Sequence, residues 1–218
     1  MILKIVEQKL ETENTFSLIL AKPRGFNFYA GQYLDIELPV KDKLGNNRTF
    51  TIASSPTENF LKFTSKKGIT PFKKFMEQLK TGNTITTSHP AGTFTLDQST
   101  PAIFIAGGIG ITPFRSIIKY ASDKKLTTPI TLIYSNSDHN FLFKKELETW
   151  QKQLPNLEIV YINTAKYGRL KTLDTKYLIP NTIFYLAGPP KMVDDFENLL
   201  LKLGVEQTNI RTDRFDGY

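Results

Sequence analysis

The 218-residue chain contains no cysteine, two histidines and one tryptophan. Without cysteine it has no disulfide, no thiolate-held iron–sulfur cluster and no cysteine zinc site. His89 and His139 alone are too few for a His-rich metal site. No apolar run approaches the roughly 18 residues that suggest a membrane span. The start, Met1 to Glu7, lacks the charged-then-apolar build of a signal peptide, so a cytoplasmic location is expected. Acidic side chains are the scarcer charge, 21 against 28 Lys and Arg, for a net charge of +7. The excess is spread evenly, with 13 bases against 9 acids up to residue 98 and 15 against 12 after it. A dedicated nucleic-acid arm is therefore not visible, and a lysine-rich solubilising surface is the plainer reading. What remains is an ordinary globular composition, long enough for one or two cores.

The two halves differ in pattern. Up to residue 98 the chain reads as short strands separated by turns: 4–10, 16–21, 32–38, 48–53, 60–64, 84–88 and 93–96. Alternation is clearest in Tyr33-Leu34-Asp35-Ile36-Glu37-Leu38, whose even positions are apolar. Such spacing predicts an antiparallel β-barrel. One helix interrupts it near 71–79, with Phe72, Phe75, Met76 and Leu79 on one stripe. Beyond residue 98, strands at 103–106, 130–134, 157–162 and 183–186 alternate with helices at 113–122, 143–152 and 189–203. That order predicts an α/β domain on a parallel sheet, with ligands beyond the carboxyl ends of its strands. The expected domains are 1–98 and 99–218, joined through Asp97 to Pro101.

Four stretches carry chemistry. In Ala102 to Pro113 a buried strand runs through Gly107, Gly108 and Gly110 into Thr112-Pro113 at a helix start. Outward-pointing N–H groups beside the positive end of a helix dipole can seat a diphosphate, although the glycines alone would equally make a tight turn. Leu186-Ala187-Gly188-Pro189-Pro190-Lys191-Met192 is a second strand-to-helix turn on the same sheet edge. In Arg48-Thr49-Phe50-Thr51, a strand would send Arg48 and Phe50 to one face and the threonines to the other. The guanidinium fork suits phosphate and the ring offers a stacking surface. Finally, Gly68 and Thr70 precede the 71–79 helix, as an N-cap or a second phosphate seat.

These motifs, in this order, resemble the ferredoxin–NADP(+) reductase superfamily over essentially the whole chain. Arg48, Phe50 and Thr51 match its flavin motif Arg-x-Tyr/Phe-Ser/Thr. Gly107 to Pro113 match its pyridine-nucleotide loop, and Gly188, Pro189 and Met192 match its late Gly-Pro-x-x-Met turn. The closing Arg-Thr-Asp-Arg-Phe-Asp-Gly-Tyr resembles the tail of short bacterial members. The resemblance implies a flavin-binding barrel joined to an NAD(P)-binding α/β domain. It implies FAD, with FMN as the alternative, and NADH or NADPH as the donor.

Residue by residue, Arg48 would pair with flavin phosphate, Phe50 pack on the flavin and Thr51 bond near its N5. Thr49, Thr64, Gly68 and Thr70 complete the expected flavin side. Gly107, Gly108, Gly110, Thr112 and Pro113 would receive the pyridine nucleotide, with Ser135 and Asp138 near its ribose. Gly188, Pro189 and Met192 would flank its nicotinamide end, and Phe215 or Tyr218 would cover the flavin. Thr51 and Thr112 are the candidate catalytic residues.

Two departures stand out. The cysteine usual in the late turn is Ala187. No basic side chain follows Tyr134-Ser135 before Lys144, and Asp138 would repel a 2′-phosphate, which favours NADH. The implied function is a flavin-dependent oxidoreductase that passes electrons to a separate acceptor such as an acidic ferredoxin or flavodoxin. The alternatives are reduction of free flavin, a ferric chelate or a quinone, or a non-catalytic electron-transfer subunit.

Overall fold

A computed structural model of the chain describes residues 1–168 and 173–215. In the first half lie β1 (Ile2–Thr12), β2 (Thr15–Ala21), β3 (Tyr33–Glu37), β4 (Asn47–Thr51), β5 (Phe60–Lys66) and β6 (Thr84–Thr87). They form an antiparallel sheet in the order β4-β3-β6-β1-β2-β5. Just past β4, the Ala53 N–H donates to the Lys62 carbonyl of β5 at 2.8 Å, drawing the two ends of the sheet together. The alternation seen in the sequence sets the inside of this barrel-like layer. Leu34 and Ile36 are fully buried with Ile5, Leu18, Leu20, Leu61 and Phe63. The helix α1 (Pro71–Gln78) presses Phe72 and Met76 into that core. Its start is defined by Thr70, whose Oγ1 accepts from the Lys73 N–H at 3.3 Å, and by Pro71 in the first turn.

The second half alternates as expected: β7 (Ala102–Gly107), α2 (Ile111–Lys124), β8 (Ile130–Asn136), α3 (Lys144–Gln153), β9 (Leu157–Asn163), α4 (Thr164–Tyr167), β10 (Ile183–Gly188), α5 (Pro190–Lys202) and β11 (Ile210–Arg214). The strands are parallel, in the order β11-β10-β7-β8-β9. The central strands β7 and β10 are buried along their whole length because helices cover both faces. Phe104 and Leu132 meet Phe114, Ile117 and Trp150 on the α2–α3 side, while Ile103, Ile105 and Ile133 meet Val193, Phe196 and Leu200 on the α5 side. The chain reverses direction across the sheet between β7 and β10, which places a crevice beyond their carboxyl ends.

Two sequence expectations need correction. Residues 93–96 do not form a strand. Gly92 turns with φ +99°, and Phe94 then packs against Phe114 and Tyr185 of the second core. The Thr95 carbonyl accepts from Tyr185 Oη and Arg211 Nη1, so side chains rather than a ladder hold this stretch. Conversely, β11 was not expected, because Ile210-Arg-Thr-Asp-Arg carries a single apolar side chain. It pairs with β10 from Phe184↔Ile210 to Gly188↔Arg214.

Candidate functional site

Two cavities open side by side where the halves meet. One, of about 570 Å³, lies at the ends of β7, β8 and β10 and is lined by Gly107, Gly108, Ser135, Asn136, Ser137, Thr164, Pro189 and Met192, with Lys66 reaching in from β5. The other, of about 520 Å³, lies on the barrel side and is lined by Tyr33, Arg48, Thr49, Phe50, Thr51, Thr70, Phe72 and Lys73, with Asp213 and Phe215 from the chain end. Phe215 ties them together, its N–H donating to the Gly188 carbonyl at 3.0 Å. Both volumes fall in the range of small-molecule sites.

The glycines of the first cavity have different jobs. A Cβ on Gly110 would stand 2.2 Å from the Ala187 carbonyl oxygen, so this residue lets the turn after β7 lie against β10. A Cβ on Gly107 would meet Met192 Sδ at 2.3 Å, a flexible side chain. Gly108, at φ +55°, has no atom nearer than Lys66 Nζ at 3.8 Å, leaving its backbone exposed to the crevice. A short 3₁₀ turn, 108–110, leads directly into α2, so the positive end of that helix faces the same space. Ser135 Oγ donates to the Ala106 carbonyl at 3.1 Å and lines the cavity.

In the second cavity, Arg48 and Phe50 share the face toward Phe72, the guanidinium 5.1 Å and the Phe50 ring 6.2 Å from its centroid. Thr49 Oγ1 donates to Asp35 Oδ1 at 2.6 Å, and Thr51 is buried. Aromatic walls with hydroxyls and cations at their margin suit a planar heteroaromatic ring bearing an anionic tail. On that donor set, the cavity fits a flavin.

Several expected site residues are not brought to either cavity. Thr64 is buried inside the barrel sheet, hydrogen-bonded to Ser17 Oγ at 2.8 Å. Thr112 is buried, its Oγ1 donating to the Ile109 carbonyl at 3.1 Å, so it closes the turn instead of facing a ligand. Gly110 and Pro113 are buried with it as packing residues. The Gly68 N–H donates to Glu77 Oε1 at 3.0 Å, away from both cavities, whereas Thr70 does line the second cavity while capping α1. Asp138 Oδ1 accepts from Asn136 Nδ2 at 2.9 Å and from the Asn140 N–H at 2.7 Å, bracing its own loop beside a third cavity. Tyr218 lies outside the described residues.

Other residues at the site escaped the sequence reading. Lys66, Asn136 and Thr164 line the first cavity but sit in no recognisable motif. Asp213 lines the second, and burial lifts its carboxyl to a pKa of about 6. Only an expectation of β11 could have flagged it. The sign follows from linkage: an acid raised on folding costs stability as the pH climbs from about 4 through 6, and no more above that. Asp213→Asn is therefore expected to raise the melting temperature near pH 7.5 and change it little near pH 4, as thermal unfolding at the two pH values would check.

The halves are also clamped. Arg115 of α2 is 1% exposed, and its Nη1 donates to the Ala53 carbonyl at 2.8 Å and to Glu58 Oε2 at 2.9 Å. Its Nε and Nη2 reach Glu146 of α3 at 3.0 and 2.7 Å, and the guanidinium stacks on Phe143 and Trp150. Burial alone would lower the Arg115 pKa, but the hydrogen bonds and charges of Glu146 and Glu58 raise it. Burial likewise works against Glu146, yet Arg115 and then Lys62 hold it below the usual carboxylate range. Burial followed by Arg115 lowers the pKa of Lys62.

Known proteins share this sequence pattern and fold. Residues 104–198 match the model of the oxidoreductase NAD-binding domain. The chain is 25% identical to the toluate 1,2-dioxygenase electron transfer component of Pseudomonas putida, over 96% of this chain and 65% of that one. Its fold superposes on ferredoxin-NADP+ reductase from Plasmodium falciparum with a TM-score of 0.83 at 21% identity, over 98% of this chain and 95% of the other. A ferredoxin NADP+ reductase from Neisseria gonorrhoeae with bound FAD and NADP gives 0.80 at 18% identity, over 98% of each chain.

Residues 104–198 thus match an oxidoreductase NAD-binding domain, and the whole chain has the fold of those reductases.

The two-layer architecture, antiparallel barrel and parallel α/β sheet, is the fold shared with those reductases. The chain spans about six-tenths of the length of the curated relatives it matches. Among the described residues no helix is long and apolar enough to cross a membrane.

Proposed function

We propose that this chain is an NAD(P)H-dependent flavin oxidoreductase, which takes a hydride from NAD(P)H onto FAD and hands electrons to a separate acceptor. The observation that carries the reading is the pairing of two ligand-sized cavities joined at Gly188 and Phe215, one beneath a glycine turn and a helix start, the other walled by aromatic rings. Residues 1–98 would hold the flavin and 99–218 the nicotinamide nucleotide.

Flavin, when bound, supplies the two-electron to one-electron chemistry. The chain's task is placement. The backbone at Gly107 and Gly108, the start of α2 and the charges of Lys66 and Lys191 would receive the donor's diphosphate. Binding energy from that remote group would hold the nicotinamide against the ring between Thr51 and Phe215. Asp213, titrating near 6, would set the charge beside the ring. Because Asp138 is committed to its own loop, Ser135, Ser137 and Thr164 are left to meet the ribose.

The acceptor would be an acidic electron-carrier protein such as a ferredoxin or flavodoxin, matching the +7 net charge. The test is anaerobic titration of the flavin-loaded protein with NADH and NADPH in parallel. Bleaching of the oxidised-flavin bands is expected, and reduction of a protein acceptor should slow as ionic strength rises. Retained colour with both donors would reject the reading, and a salt-independent rate would point to a small neutral acceptor.

A further inference from the structure

At the edge of the barrel cavity, beside Arg48 and the start of α1, lies an anion, the side chain of Asp42. Its Oδ1 lies 3.0 Å from Arg48 Nη2, and its Oδ2 accepts from the Phe72 N–H at the start of α1 at 3.1 Å. Oδ1 also accepts from the Leu44 N–H at 3.0 Å. The carboxylate is 3% exposed, and these amide hydrogen bonds, with Arg48, keep its pKa below the usual range, so it is charged at neutral pH. Arg48 is engaged elsewhere too, since Nη1 donates to the carbonyls of Leu44, Gly45 and Asn47 at 2.9, 2.9 and 2.6 Å. The other guanidinium bordering this cavity, Arg214, is paired with Asp194 and Glu197. Two of the three cations that line this cavity among the described residues, Arg48 and Arg214, are thus already paired with carboxylates of the chain, and Lys73 is the third.

We infer that Asp42 sets the flavin specificity of this site, by occupying the positions a flavin phosphate would otherwise take. This rests on the flavin reading above. A phosphate arriving beside Arg48 meets a fixed like charge and a guanidinium whose attraction is cancelled. The isoalloxazine ring, held by Phe50 and its neighbours, is unaffected. Flavin therefore binds mainly through its ring and gains little from its phosphate.

The experiment measures riboflavin and FMN binding, by quenching of flavin fluorescence, to the full chain and to Asp42→Asn. Asn keeps one oxygen, for either the Leu44 or the Phe72 amide, and removes the charge. The wild-type protein should bind FMN no more than about threefold tighter than riboflavin. The variant should gain at least about tenfold for FMN, roughly 1.4 kcal/mol, with riboflavin unchanged. If wild-type protein already prefers FMN by tenfold or more, Asp42 does not oppose phosphate and the inference falls, even if the variant fails to fold. If the variant loses FMN affinity while riboflavin holds, Asp42 orients Arg48 for phosphate, which also overturns it. An equal shift for both flavins assigns Asp42 to pocket shape and rejects the inference while leaving the flavin reading intact. Binding of neither flavin by wild-type protein rejects both.

Discussion

Replacing Arg115 by alanine is expected to cost about 3–5 kcal/mol of stability, the usual effect of breaking a buried ion pair by removing one partner. For a chain of this size that corresponds to a fall in melting temperature on the order of 10 °C. The reason is geometric. Arg115 leaves α2 with 1% exposure and meets Glu58 and the Ala53 carbonyl on the barrel, and Glu146 on α3. Without it, Glu146 and the Ala53 carbonyl lose the guanidinium, and Glu58 keeps only the Ser55 N–H, at the junction of the halves. Lys62, 3.5 Å from Glu11 and 4.0 Å from Glu146, offers only distant compensation. Thermal unfolding of Arg115→Ala, Glu146→Gln and the double variant measures the coupling. Strong non-additivity is expected, because both single changes break one network. A loss below about 1 kcal/mol would place the cluster with ordinary surface pairs and contradict this account.

Gly110→Ala should do the most damage to nucleotide binding. The new methyl would sit 2.2 Å from the Ala187 carbonyl oxygen and 2.6 Å from the Gly188 nitrogen, both backbone atoms of β10 that cannot rotate away. The turn and β10 must separate, and the crevice between them is the proposed diphosphate seat. Overpacking of this kind costs about 1–3 kcal/mol in stability. Affinity for NADH should fall at least about tenfold, since 1.4 kcal/mol of misplacement suffices for that. Gly107→Ala makes an informative partner, because its methyl meets the movable end of Met192. It should leave stability nearly intact and weaken NADH binding by pushing Met192 into the cavity. Calorimetric titration of both variants with NADH checks the order. Equal, small effects would mean that the turn tolerates a side chain and that the close approach to β10 is unimportant.

Legibility in the sequence followed physical cause. Strands with strict alternation, such as Tyr33 to Glu37, and fully apolar runs, such as Ala102 to Ala106, announce their burial directly. The glycine turn was legible because glycine, proline and a strand together leave few alternatives. Thr93 to Leu96 misled because alternation is necessary for a half-buried strand and not sufficient. There the apolar positions serve a core in the other half of the chain. The edge strand β11 was hidden by its polar composition, and Asp213 with it. The Arg115 cluster joins residues 57, 62 and 31 positions apart, a relation no local pattern encodes. Thr112 shows the converse case. A hydroxyl in a matching motif can serve the turn that makes the site instead of the ligand that fills it.

The most direct test follows deuterium from nicotinamide to flavin. The chain, loaded with FAD under anaerobic conditions, is mixed with NADH or NADPH deuterated at one face of C4. On the present account the flavin bleaches in a single turnover, deuterium in one of the two stereochemical positions slows the bleaching, and oxidised nicotinamide appears in equal amount. A flavin that stays oxidised, or bleaches with no isotope effect from either position, would contradict direct hydride transfer between the two cavities.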